Sequence, residues 1–196
     1  MFWRRQLLLS LIELDPTSEY ARPTDKLLVG ESDQASETPA AQKLSRLTLP
    51  TKDTLLSDIQ PSLTSQAAMG VVFIDLDNFK QVNDTKGHPA ADECLDRVVD
   101  SIGTILGRRG KLYRWGAGDE FVVVLPGVLT SEAQATAERI RTAIEKSGGD
   151  ILVTASLGVC ATDLASTKSA KDFLDFADQA MYQSKQSGKN RVTTWS

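Results

Sequence analysis

The stretch Arg114-Trp115-Gly116-Ala117-Gly118-Asp119-Glu120-Phe121 decides how this chain is read. Apolar runs flank it: Leu112 to Trp115 and Phe121 to Leu125 read as strands, and the glycines between them mark a tight turn. A glycine turn lets backbone approach a ligand closely, and the adjacent carboxylates of Asp119 and Glu120 suit a hard cation. By itself such a hairpin is more often a solvated acidic turn, so a second acidic point is needed to give it a function.

That second point ends the run Gly70-Val71-Val72-Phe73-Ile74-Asp75-Leu76-Asp77. Val71 to Ile74 is short, continuously apolar and β-branched, as expected of a strand buried on both faces. Asp75 and Asp77 share strand parity and are expected on one face. The plainer alternative makes Asp77 a cap for the next helix and Asp75 incidental. Carboxylates at the end of a buried strand must be paired or solvated, and Mg²⁺ does this well. Two acidic clusters on adjacent strands, beside a helix start that accepts phosphate, make a site for metal-assisted phosphoryl chemistry.

Outward from these strands the order is helix, strand, helix pair, hairpin, helix, strand, helix, strand. Thr51 to Ile59 reads as a short helix, and Asn78 to Asn83 begins the next. Pro89 to Leu106 follows with Leu95, Val98, Val99, Ile102 and Leu106 on one face. Ser131 with Gln134 forms a capping box ahead of Ala135 to Lys146. Ile151 to Cys160 alternates as a strand, and Lys171 to Ser187 is a helix closed by Gly188. This order predicts an α/β fold, a sheet packed by helices.

The 196 residues suffice for one packed domain plus an extension. A net charge of −4 argues against a general nucleic-acid binder. Cys94 and Cys160, without CxxC spacing, support neither a disulfide framework nor a zinc site. No segment is apolar enough to span a membrane. Residues 1–14 are expected to form a short amphipathic helix that docks on a partner, a sister subunit or a membrane surface; packing back on its own domain is the equal alternative. The run Gln6 to Leu14 carries Glu13 and lacks a small-residue cleavage site, so it does not read as a secretory signal. Residues 15–44, rich in Ser, Thr, Glu, Pro and Ala, read as flexible linker. The domain is placed at residues 45–196, in a cytoplasmic protein.

Phe73-Ile74-Asp75-Leu76-Asp77-Asn78-Phe79-Lys80-Gln81-Val82-Asn83-Asp84, then Gly87-His88, Asp92 and Gly118-Asp119-Glu120-Phe121, resembles the GGDEF family of diguanylate cyclases. Ala177-Asp178-Gln179-Ala180-Met181-Tyr182, Lys185 and Gly188-Lys189-Asn190 resemble that family's closing helix and strand. The resemblance implies an α/β, palm-like nucleotidyl cyclase fold, a central, mostly antiparallel sheet of about five strands packed by helices. The resemblance implies condensation of two GTP into cyclic diguanylate and two pyrophosphates by a homodimer, with two Mg²⁺ or Mn²⁺ ions per active site. It implies metal ligation by the Asp75 carboxylate, the Leu76 backbone carbonyl and the Asp119 carboxylate. Asp119 also helps deprotonate the hydroxyl, and Glu120 supports metal or ribose geometry. Asp77, attractive by parity, is not the usual ligand.

Lys80 is expected to meet phosphate at the helix start, the alternative being an ordinary surface lysine. Phe79 and Gly118 are expected to border the substrate. Lys185 and Lys189 match positions that reach the triphosphate, although cations near a helix C-terminus are favourable anyway; the family commonly has arginine in place of Lys189. Asn83 and Asp92 match the residues that read guanine. Asp92, taken as buried, would favour GTP over ATP roughly tenfold to a hundredfold by accepting from two donors on one base edge. Its alternative is an acid in the first turn of a helix. His88 is read as structural.

The family hairpin runs arginine, one residue, then Gly-Gly-acid-Glu-Phe, so Gly116-Ala117-Gly118 carries one residue more. The family's N-terminal signature, Asp-x-Leu-Thr-Gly-Leu-Pro-Asn-Arg, survives as Ser45-Arg46-Leu47-Thr48-Leu49-Pro50-Thr51-Lys52. Ala91 stands where glycine is usual, and Arg108-Arg109-Gly110-Lys111 lacks the aspartate of the product-inhibition signature. These departures motivate the alternative of a catalytically impaired GGDEF domain that binds GTP or cyclic dinucleotide and regulates a partner.

Overall fold

The computed structural model describes residues 45–116, 118–147 and 149–196. The expected helix over 1–14 and linker over 15–44 lie outside the described residues. A 3₁₀ turn, Arg46–Thr48, leads into α1 (Lys52–Thr64), β1 (Met69–Leu76), α2 (Phe79–Lys86), α3 (His88–Leu106), β2 (Lys111–Arg114) and β3 (Glu120–Pro126). Then come α4 (Thr130–Ser147), β4 (Ala155–Ala161), α5 (Ala170–Gln186) and β5 (Arg191–Thr194). The strands form one sheet in the order β2-β3-β1-β4-β5, antiparallel except for the parallel β4–β5 pair.

β1 is the central strand, and every residue of it is buried. Val72, Ile74 and Leu76 join the core formed with α3 and α4, whereas Val71 and Phe73 join the core formed with α1 and α5. Alternation along one strand therefore fills two opposite layers, which is why the run is apolar without interruption. α5 lies against β4 at close range. An added Cβ at Gly158 would stand 2.1 Å from the Ala177 carbonyl oxygen and 2.2 Å from the Met181 nitrogen, so no side chain fits there. Among the described residues no helix is long and apolar enough to cross a membrane.

Several element boundaries differ from the sequence reading. α1 continues through Pro61 to Thr64, because Leu55, Ile59 and Leu63 bury one continuous face. The Pro61 carbonyl still accepts from the Ser65 amide at 3.0 Å, which closes the last turn. The capping box at Ser131 does not set the start of α4. The helix begins at Thr130, whose amide donates to the Asp163 carboxylate at 3.1 Å and whose hydroxyl donates to it at 2.7 Å. Residues 151–154 are not strand, because β1 ends at Leu76, the pairing partner of Ala155; Leu152 is 87% exposed. Asp92 is not a first-turn acid either, since α3 begins at His88 and Asp92 is its fifth residue.

Candidate active site

β1 and β3 pair so that Asp75 stands directly opposite Glu120, with the Leu76 amide donating to the Asp119 carbonyl at 3.2 Å. The hairpin thus brings its two acids to the end of β1. Gly116 gives Glu120 room: an added Cβ there would lie 3.0 Å from the Glu120 Oε2. Burial raises the Asp75 carboxyl above the usual carboxylate range, opposed by Lys185 and reinforced by the nearby Asp119 and Asp77. Burial likewise raises Glu120, with Asp75 and Asp119 adding to the effect. Asp178 of α5 is also raised by burial and by Asp175. This is a desolvated cluster of like charge, and a bound cation would relieve it.

Asp75 parity places it on the α5 side of the sheet, and Lys185 Nζ meets its Oδ2 at 2.7 Å. Lys185 therefore neutralises the acid expected to hold metal. Lys189 Nζ donates to Asn78 Oδ1 at 2.6 Å, at the turn between β1 and α2. Asn78, Lys189 and Asn190 all have positive φ (57°, 62° and 44°), so both turns beside the acids hold non-glycine residues in the left-handed region.

Asp77 has a different role from Asp75. Its Oδ1 accepts from the Ser156 hydroxyl at 2.7 Å, and its Oδ2 accepts from the Thr154 hydroxyl at 2.7 Å and the Asn190 amide at 3.0 Å. Its own amide donates to the Thr154 carbonyl at 2.8 Å. Equal parity put both aspartates at the strand end, but Asp77 is saturated by β4 and the α5–β5 turn. It pins that turn, and Asn190 is further held by Arg141 Nη1 at 2.8 Å.

On the other face, α2 and α3 border an open cleft of about 270 Å³. Phe79, Lys80 and Asn83 line it from α2, and His88 and Asp92 from α3. Gly118 and Asp119 close it from the hairpin, so Asp119 joins the cleft to the acidic cluster. Phe79 is buried, a floor more than a surface contact. His88 Nδ1 lies 3.3 Å from Asn83 Oδ1 and orients that amide. Gly87, with φ of 79°, makes the break between α2 and α3 that lets their residues face one another.

Arg46 also lines this cleft, and the sequence reading assigned it no role. Its Nη1 donates to Asp92 Oδ1 at 2.5 Å. The Asp92 carboxyl is held below its usual range, chiefly by that hydrogen bond. Asp92 is moreover 49% exposed, not buried as expected, and adenine would not strand it without a partner. No local pattern marks Arg46, because its partner lies 46 residues away.

Among the described residues no three acidic, histidine or cysteine side chains converge as a ready-made metal cage. Mg²⁺ does not require one; it is commonly held by one or two carboxylates together with substrate phosphates. Two oxygen-donor acids, Asp75 and Asp119, at the end of one strand pair fit that mode, as does the charge excess around Asp75.

A five-stranded, mostly antiparallel sheet with acids at its central strand end and at an adjoining hairpin is the palm-like architecture of nucleotidyl cyclases. The family described as "Diguanylate cyclase, GGDEF domain" matches residues 49–191, and the chain belongs to that family. It is 39% identical over 143 residues to diguanylate cyclase A of Treponema denticola, covering 70% of this chain and 38% of that protein. It is 36% identical over 133 residues to diguanylate cyclase DosC of Escherichia coli K12, covering 65% of this chain and 28% of that protein. The chain therefore spans well under half the length of these relatives. Among solved structures, the GGDEF domain of PA1120 from Pseudomonas aeruginosa superposes with a TM-score of 0.69 at 25% identity, over 76% of this chain and 98% of that one. The coiled coil and GGDEF domain of DgcB from Caulobacter crescentus, in complex with c-di-GMP, gives a TM-score of 0.64 at 27% identity, over 72% and 77%.

Proposed function

We propose that this chain is a diguanylate cyclase that joins two GTP molecules into cyclic diguanylate and releases two pyrophosphates. The observation that carries this reading is the pairing of Asp75 with the Asp119–Glu120 hairpin across β1 and β3, beside the start of α2. The carboxylates of Asp75 and Asp119 and the Leu76 carbonyl would hold two Mg²⁺ or Mn²⁺ ions, which neutralise phosphate charge when bound.

In each half-reaction a 3′-oxygen bonds to the α-phosphorus of the other GTP. The bond from that phosphorus to the bridging oxygen breaks, and pyrophosphate leaves. Asp119 takes up the hydroxyl proton; its place at the junction of cleft and acidic cluster supports that role. Lys80 and the first amides of α2 meet phosphate charge. Lys185 and Lys189 turn from Asp75 and Asn78 toward the triphosphate, and Asn83 with Asp92 reads guanine. Each subunit presents one GTP, so two subunits face each other during reaction, in the cytoplasm where GTP is available.

Incubation of the purified chain with GTP and Mg²⁺ or Mn²⁺, followed by chromatographic analysis, tests this reading. Cyclic diguanylate formed only with the metal is expected. Intact GTP binding without product at high protein concentration would overturn it in favour of a regulatory GTP- or cyclic-dinucleotide-binding domain. That second reading is favoured by the residue Ala117 added to the hairpin and by the ammonium of Lys185 on Asp75. Deleting Ala117 separates the two: a gain of synthesis in a silent protein supports the regulatory reading, and a loss in an active one excludes it.

A further inference from the structure

Arg46 lies where a nucleotide base is expected. Its side chain is 18% exposed, and its guanidinium donates through Nη1 to Asp92, within the cleft shared with Asn83. A guanidinium is a planar group with N–H donors along one edge, and so is the N1–H and amino edge of guanine. Adenine has no such donor pair. Resting on the reading of Asp92 as the guanine-recognising acid, we propose that Arg46 is a built-in competitor for guanine: it holds the Asp92 carboxylate in the nucleotide-free chain and gives it up to GTP but not to ATP, so that it sets both GTP affinity and base preference.

The surroundings make the exchange easy. Arg46 belongs to a three-residue 3₁₀ turn, and its neighbour Leu47 is exposed. Its Nε is buried and makes no hydrogen bond. A second acid is waiting: Asp96, one helical turn beyond Asp92 on α3, has Oδ1 3.8 Å from Arg46 Nε and 3.4 Å from the Arg46 amide. When a base takes Asp92, the guanidinium keeps a counter-charge on Asp96. The displaced interaction is a half-exposed ion pair, which limits the competition to about a two- to fivefold effect on affinity.

The experiment is titration of the full chain, wild type and Arg46→Ala, with Mg²⁺ and the GTP and ATP analogues carrying a methylene between the α- and β-phosphorus, which cannot react. Tighter binding of the GTP analogue by about two- to fivefold in Arg46→Ala, with the ATP analogue unchanged, is expected. Arg46→Lys, which keeps the charge, should stay within twofold of wild type and guards against a folding defect in the alanine variant. Weaker GTP binding in Arg46→Ala overturns the inference, because Arg46 would then be a nucleotide contact. Equal changes for both analogues, or no change, overturn it as well. Asp92→Ala in the same titrations isolates the underlying reading. If wild type and Asp92→Ala both bind the two analogues equally, Asp92 does not read the base, and the inference falls with that reading. If Asp92→Ala erases a GTP preference that Arg46→Ala leaves untouched, the reading stands and only the competition is refuted.

Discussion

Asp77 offers the sharpest mutational test, because its replacement by Ala and by Asn should differ widely. Its carboxylate accepts from the Ser156 hydroxyl, the Thr154 hydroxyl and the Asn190 amide. In Asp77→Ala all three donors lose their acceptor. Ser156 is 0% exposed and no water reaches it, so its orphaned hydroxyl costs about 1–3 kcal/mol. The Asn190 amide sits in a turn where Gly188, Lys189 and Asn190 all have positive φ, and releasing it removes the contact that offsets that conformation. Thr154 and Asn190 are half-buried and partly recover hydration, which brings the total to roughly 2–5 kcal/mol. In Asp77→Asn the amide oxygen still serves Asn190 and Thr154, and the new NH₂ donates to Ser156, whose hydroxyl reverses. Only the charge assistance is lost, about 0.5–1.5 kcal/mol. Urea unfolding of the three proteins measures both values. Equal destabilisation by Asn and Ala, or an Ala variant within about 1 kcal/mol of wild type, would refute this reasoning.

Gly158→Ala should cost about 3 kcal/mol or more and lower the yield of folded protein, because the new Cβ would stand 2.1 Å from the α5 backbone; thermal unfolding checks this. Asp58 is held below its usual range by hydrogen bonds from Lys111 and Tyr113, at 2.6 and 2.7 Å. A depressed folded value gives stability that is present above the unfolded value of about 3.9 and lost as pH falls through the folded one. Asp58→Asn should therefore be less stable than wild type at pH 7, with the gap closing below about pH 4 in a series of urea midpoints. Cys94 and Cys160 are buried, and Cys160 is pushed up to about 12 by that burial, so neither should react with a thiol reagent until the protein is unfolded.

The parts of this fold legible in the chain are those set by local pattern. The β-branched run ending at Asp75 announced a strand buried on both faces, and the glycines around Ala117 announced the hairpin that carries Asp119 and Glu120. Patterns failed where a distant group outcompeted a near one. The Ser131 capping box was superseded by Asp163, and the alternation over residues 151–154 found no strand to pair with once β1 had ended. The short helix expected over Thr51 to Ile59 runs on through Pro61 to Thr64, because its apolar face continues from Leu55 to Leu63. In the site, parity put Asp75 and Asp77 together correctly and left their roles undivided, because the groups that distinguish them are Lys185, Ser156 and Asn190, far along the chain. Arg46 was invisible for the same reason.

Metal-dependent nucleotide binding by wild type, Asp75→Asn and Asp119→Asn tests the central claim most directly. Mn²⁺ is titrated in the presence of the non-reacting GTP analogue and followed by its paramagnetic signal. The acidic cluster at the end of β1 and the hairpin predicts that wild type holds Mn²⁺ together with the nucleotide and that each substitution weakens this binding at least tenfold while the fold survives. Undiminished Mn²⁺ binding in both variants would place the metal elsewhere and contradict the account.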